Sequence, residues 1–211
     1  MYIYKSFRQP EDNILFDDDL LEFVSESNSF LFRVWESETE FIVKGISCPD
    51  EDINFSEAGK RSVPVLRRRS GGGTVVQGPG CLNYCAVFFT IKTPDIKGCF
   101  DLVLDALKFA FAKEGIMLER KGISDLVLRG KKVSGNAQRR KRNRFYVHGT
   151  VLYDFDINNI QSLLNMPGKM PQYRADRTHN EFLDNIPLSR EPVISCFFNA
   201  YDLLCKDRGF K

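Results

Sequence analysis

Apolar positions along the chain alternate between two periods, and the switches mark its elements. Residues 15–27 carry Phe16, Leu20, Phe23 and Val24 at helical spacing, with Asp17, Asp18 and Asp19 suited to the positive end of a first turn. Residues 98–114 are more strongly amphipathic: Phe100, Leu104, Leu107 and Phe111 share a face, and Gly115 is placed to end the helix. Further helices are predicted over 157–165, 175–184 and 189–204. Short β-rich runs at 31–35, 40–43, 63–66, 84–91, 125–128 and 145–152 read as strands, 84–91 as a fully buried one. Residues 46–62 are polar and irregular. Strands and helices are interspersed without strict alternation, so an α/β (α+β) fold is expected, with one domain over 1–211 and helices packed on a mixed sheet.

Composition narrows the class without naming it. Of 211 residues, 43% are hydrophobic and 27% charged, which excludes disordered and collagen-like chains. A net charge of +2 offers no global argument for nucleic acid or membrane. No run approaches the roughly 18 apolar residues of a membrane span, and the N-terminal residues do not resemble a leader, so a cytoplasmic protein is expected. Cysteines at 48, 81, 85, 99, 196 and 205 form no Cys-x-x-Cys pair, and the two histidines, at 148 and 179, do not complete a zinc set. Free, mostly buried thiols are the expectation, with Cys81 and Cys85 flagged because they follow a glycine-rich loop.

That loop, Arg67-Arg68-Arg69-Ser70-Gly71-Gly72-Gly73-Thr74-Val75-Val76, holds the most specific chemistry. Three adjacent glycines let successive N–H groups turn toward an anion, and the preceding arginines are permanently charged forks suited to phosphate. No Gly-Lys-Ser/Thr follows, so it is not a Walker loop. The bland alternative is a mobile turn beside a solvated basic run.

A second cluster spans Ser124 to Gln138. A turn at Arg129-Gly130-Lys131 pairs 125–128 with 132–137, and alternation sends Lys132, Ser134 and Asn136 to one face, opposite Val133 and Gly135. Asp125 on the partner strand is a candidate Mg²⁺ ligand beside phosphates. Eight of the sixteen residues from 129 to 144 are Arg or Lys, which reads as a solvated hairpin tip or, less well without interleaved aromatics, a nucleic-acid patch. His148 precedes Gly149 inside a strand pattern, the mark of a close backbone approach or bulge. A core histidine and a catalytic one fit it equally.

On these residues the chain resembles the biotin/lipoate A/B protein ligase catalytic domains, the lipoate ligase branch in particular. Arg68–Gly73, Gly130–Ala137 and His148–Thr150 stand where that family has Arg-Arg-x-Ser-Gly-Gly-Gly, Gly-x-Lys-Val/Ile-Ser-Gly-Ser/Asn-Ala and His-Gly-Thr. The likeness covers about residues 15–190. It implies a fold related to class II synthetases and a two-step reaction: lipoate or octanoate plus ATP, with Mg²⁺, gives an acyl-adenylate, and a lysine of a lipoyl domain then takes the acyl group. The acceptors it implies are 2-oxoacid dehydrogenases or the glycine cleavage H protein. Carried over, Lys132 is catalytic, touching the acyl carboxylate and the α-phosphate. Arg68, Gly73, Thr74, Val75 and Val76 hold the nucleotide. Ser70, Gly71, Gly72, Ser134, Gly135, His148 and Gly149 line the lipoate site, and Asp125 assists the metal.

Two features keep alternatives in view. Many lipoate ligases carry a C-terminal accessory domain after the point where this sequence stops, and some relatives take it from a second polypeptide. Gln77-Gly78-Pro79-Gly80 also resembles a segment of octanoyltransferases, which move an acyl group through a cysteine without ATP. This chain has no cysteine at either customary nucleophile position, Leu118–Leu128 or Met166–Lys169, so the ATP-dependent ligase leads over a thiol-dependent transferase and over a non-catalytic or nucleic-acid-binding relative.

Overall fold

The structure, a computed structural model, describes residues 1–206. In chain order its elements are β1 (Tyr2–Tyr4), α1 (Pro10–Phe23), β2 (Phe30–Glu36), β3 (Phe41–Lys44), α2 (Phe55–Lys60), β4 (Val65–Arg67), β5 (Val75–Gln77), β6 (Cys81–Phe89) and α3 (Ile96–Ala112). They continue with β7 (Glu119–Lys121), β8 (Asp125–Leu128), β9 (Lys131–Ser134), β10 (Asn136–Lys141), β11 (Arg144–Leu152), α4 (Ile157–Leu163), α5 (His179–Phe182) and α6 (Arg190–Lys206). Five strands form the main sheet in the order β1-β2-β6-β11-β10, parallel only between β1 and β2. Two three-stranded sheets, β4-β3-β5 and β7-β8-β9, flank it. The expected mixed α/β architecture is what the chain adopts.

Period-two alternation explains why the main sheet is covered on both faces. In β2, Phe30, Phe32 and Val34 pack with α3 and α6 against Phe100, Leu107, Phe111 and Phe197, whereas Leu31 packs with Leu20, Leu21 and Val24 around α1. Each such side chain contributes about 1.5–3 kcal/mol by leaving water. Both faces are covered by helices, so β2 and β6 are buried almost without interruption and do not alternate between buried and exposed.

Helix α1 corrects the predicted span of 15–27. It begins at Pro10, where a proline costs no hydrogen bond, and ends at Phe23. Asp17 and Asp18 therefore lie mid-helix, buried against the sheet, and Phe23 is 62% exposed. Their role is to meet charges arriving from elsewhere: fully buried Arg33 of β2 donates to Asp17 Oδ1 at 2.6 Å and to Asn13 Oδ1 at 2.7 Å, and Arg139 pairs with Asp18. Those partners outweigh any preference of the acids for a helix start.

The 129–144 basic run is divided by the fold. Arg129 and Gly130 both take positive φ, at 50° and 80°, as a two-residue hairpin turn requires, and they join β8 to β9. The chain then changes sheets at Gly135, so the predicted single strand 132–137 is two, with β10 paired to β11. Lys141 and Arg144 pair with Glu22 of α1. The polar stretch 46–62 holds a 3-10 turn at Asp50–Asp52 and the Asn54-capped α2. The predicted helix 175–184 shrinks to α5, because Ala175 and Asp176 adopt positive φ and break the run behind a 3-10 turn at Gln172–Arg174.

Candidate active site

A cavity of about 300 Å³ opens where the glycine loop, β8–β9, β11 and the segment from 164 to 183 converge. One wall is apolar, built by Ile14 of α1, Trp35 of β2 and Val43 of β3. Lys132, Asp125, Thr74, Lys169 and Arg174 also line it. A lining that combines apolar and cationic side chains suits an amphipathic acid.

Lys132 reaches it from β9. Its Nζ lies 2.7 Å from Asp125 Oδ1, and Tyr173 donates to the other carboxylate oxygen at 2.7 Å. The pair is only partly exposed, at 23% and 15% for the two side chains, so Lys132 is anchored yet reachable. The sheet change at Gly135 ends the alternation expected over 132–137, and a Cβ on Gly135 would stand 3.0 Å from Lys132 Nζ, yet Ser134 and Asn136 still meet: Asn136 Nδ2 donates to Ser134 Oγ at 3.1 Å and to Ser124 O at 2.6 Å, and Tyr84 donates to Asn136 Oδ1 at 2.6 Å. This buried network explains Gly149. A Cβ there would overlap the Asn136 amide oxygen and stand 2.8 Å from the Gly135 carbonyl oxygen, so the strand glycine is a close approach.

Gly72, Gly73, Thr74, Val75 and Val76 line the cavity, the last two as part of β5, a strand that the sequence pattern did not suggest. Arg68 also borders it, but its guanidinium is committed elsewhere. Nε donates to Ser70 Oγ at 3.0 Å, Nη1 to Val43 O at 3.3 Å, and Nη2 to Gly71 O and Gly73 O at 2.7 and 2.8 Å. Four of its five N–H groups hold the loop's own shape. Ser70 and Gly71 are outside the cavity lining, while Ser134, Gly135, His148 and Gly149 belong to it.

Ser70 stands 2.7 Å from His148 Nε2, and His148 Nδ1 is 3.8 Å from Asp17 Oδ2. Arg68 also donates into Ser70 Oγ at 3.0 Å, and the serine hydroxyl retains its own proton to give to Nε2 in the tautomer whose Nδ1–H faces Asp17. Burial holds the imidazole below its ordinary pKa, with Arg68 adding to that and Asp17 and Asp18 opposing it. Nε2 is thus taken up within the protein, and Nδ1 faces the Asp17 carboxylate.

Sequence reasoning missed several lining residues. Trp35 was read only as a strand residue, Asp17 as a helix-start charge, and Ile14 fell just outside the predicted helix 15–27, although the single tryptophan and the triple aspartate were visible signals. Asn165 and His179 fall in the predicted helices 157–165 and 175–184, for which no site role was expected, and Arg174 ends a 3-10 turn between them.

A family model for the lipoyl protein ligase A/B catalytic domain matches residues 9–187. The chain belongs to this family. Among relatives, lipoate-protein ligase LplJ of Bacillus subtilis is 34% identical over 116 residues, 55% of this chain and 34% of its own length. The octanoyltransferase LipM of Halalkalibacterium halodurans is 26% identical over 95% of this chain and 85% of its own. Several of the lipoate-ligase relatives are much longer than the portion this chain spans, which is 44% of lipoate-protein ligase 1 of Staphylococcus aureus. The fold of a bipartite lipoate protein ligase from Thermoplasma acidophilum superposes with a TM-score of 0.85 at 16% identity, over 97% of this chain and 83% of that one. A lipoate-protein ligase A structure bound with ATP superposes at 0.81 and 17%, over 96% and 85%.

In this lipoyl ligase A/B domain the thiols flagged beside the loop are sealed. Cys81 and Cys85 are fully buried, and burial pushes the Cys81 thiol up to about 12 and the Cys85 thiol well above its ordinary value. Thiolate is the nucleophilic form, so neither is poised to attack. The half-buried Cys48 is the thiol beside the loop, its Sγ 2.9 Å from Gly72 O. No helix among the described residues is long and apolar enough to cross a membrane.

Proposed function

We propose that this enzyme is an ATP-dependent lipoate-protein ligase, activating lipoate or octanoate as the acyl-adenylate and passing it to a lysine of a lipoyl domain. The observation that carries the reading is Lys132, anchored to Asp125 in one cavity with the glycine-loop backbone and an apolar wall. In the first step a carboxylate oxygen attacks the α-phosphorus, the bond to the β-phosphate breaks, and pyrophosphate leaves. Two anions must be brought together, so positive charge and N–H donors fixed in advance are what the step needs. Lys132, swung from Asp125, bridges carboxylate and α-phosphate, with the Gly73–Val76 backbone beside it. Ile14, Trp35 and Val43 take the acyl chain. Asp125 is a hard oxygen ligand suited to Mg²⁺, which commonly takes one or two carboxylates plus phosphate oxygens and would neutralise their charge. In the second step the acceptor amine attacks the acyl carbonyl, the bond to the adenylate oxygen breaks, and the amine proton is lost.

The acceptors this reading names are lipoyl domains of 2-oxoacid dehydrogenases or the glycine cleavage H protein, with a separate accessory polypeptide as a possible second component. Pyrophosphate release with ATP and lipoate, measured with and without an acceptor domain, is the test. Lys132→Ala is expected to lower it by at least about 100-fold, the loss of one such transition-state donor, with an unchanged melting temperature. Near wild-type release in that variant would remove Lys132 from the reaction. A thiol-dependent acyl transferase is the second reading, favoured by the placement of Cys48 against Gly72; abolition of ATP-independent octanoyl transfer by Cys48→Ser would establish it.

A further inference from the structure

Arg174 is 4% exposed and lines the cavity from the irregular segment between α4 and α5. Its Nε donates to Arg177 O at 2.9 Å, and Nη2 faces Met166 Sδ at 3.3 Å and His179 Nδ1 at 3.4 Å. The guanidinium lies over the Phe182 ring, 4.7 Å from its centroid. Among the described residues nothing accepts from Nη1, and no carboxylate pairs with Arg174. The contrast with Arg68 is direct: that guanidinium spends three donors on the glycine loop and one on Val43 of β3, whereas Arg174 keeps one end of its fork unspent. Its charged neighbour is another cation, Arg177, and burial with that repulsion lowers its pKa. Burying a cation without an anion is costly, so a group kept this way beside a cavity points to an anion that arrives there.

The surroundings say which end of the cavity this is. His179 Nε2 lies 3.2 Å from Asn165 O, the Asn165 backbone N–H donates to Asp52 O, and Asp52 accepts from Thr74 Oγ at 3.2 Å. Arg174 is thereby linked through His179, Asn165 and Asp52 to Thr74, in the part of the glycine loop assigned to the nucleotide. A planar fork with two free N–H groups matches two phosphate oxygens.

We infer that Arg174 is a phosphate-binding residue of the nucleotide site, its Nη1 end engaging a phosphate of ATP. This inference rests on the ligase reading above. Calorimetric titration of wild-type protein, Arg174→Gln and Arg174→Lys with ATP, adenosine and lipoate separately tests it. The Gln variant is expected to bind ATP at least about tenfold more weakly, as loss of a charge-assisted hydrogen bond implies, while adenosine and lipoate affinities stay within about twofold. The Lys variant, which keeps the charge and loses the fork, is expected between the two, and it carries the same ATP-to-adenosine comparison should the Gln variant fail to fold. Equal weakening of ATP and adenosine would make Arg174 a packing residue and overturn the inference. Selective weakening of lipoate would reassign it to the acyl carboxylate, and unchanged ATP affinity would also sink it while leaving the ligase reading intact. Absence of ATP binding by the wild-type protein would remove the ligase reading, and this inference with it.

Discussion

Replacing Gly149 by alanine tests how the site is built with a single methyl group. The new Cβ overlaps the Asn136 amide and lies 2.8 Å from the Gly135 carbonyl oxygen. Neither can retreat cheaply, because the Asn136 amide is fastened by Tyr84, Ser134 and Ser124, and the Gly135 carbonyl accepts from the Thr150 N–H at 3.1 Å. Overpacking of this kind costs about 1–3 kcal/mol, and displacing a buried amide from its partners about 1–3 more. For a chain of this size, where 1 kcal/mol moves the melting temperature by about 2–4 °C, the expected fall is roughly 4–24 °C by circular dichroism. Asn136→Ala alone is expected to destabilise too, since the Ser124 carbonyl and Tyr84 hydroxyl lose their partner. In Gly149→Ala/Asn136→Ala the methyl enters the space the amide vacates, so the double variant should be more stable than additivity predicts by at least about 1 kcal/mol. Melting of Gly149→Ala within about 1 °C of wild type, or an additive cycle, would refute the account of this approach.

Two further outcomes follow from burial. Brief treatment of the native protein with iodoacetamide should label Cys205 and Cys48 and spare Cys81 and Cys85, read by peptide mass spectrometry; early labelling of Cys81 would contradict its sealed position. His148 and His179 both have pKa values lowered chiefly by burial, so below the unfolded value of about 6.5 the unfolded chain binds more protons and stability is lost as pH falls. His148→Gln removes one of these contributions, and its melting temperature should decline less than that of wild type between pH 7.5 and 5.5, about one unit either side of the unfolded value; a parallel or steeper decline would show that His148 does not contribute.

Residues that act through local pattern were legible in the sequence. The spacing of Phe100, Leu104, Leu107 and Phe111 specifies α3, the Arg129-Gly130 turn specifies the β8–β9 hairpin, and the run of glycines specifies a loop whose backbone faces a cavity. Each depends on φ preference or on a periodic burial pattern within a few neighbours. Roles set by distant partners were not legible. Asp17 and Asp18 read as a helix start until Arg33 and Arg139 arrive from other strands. Arg68 reads as a phosphate fork until the carbonyls of Val43, Gly71 and Gly73 take its donors. The stretch from 166 to 174 has no period to read, yet it brings Arg174 into one cavity with Asp52 and Thr74, residues more than 80 positions away in sequence. A buried charge is governed by what neutralises or hydrogen-bonds it, and only the folded chain decides which groups those are.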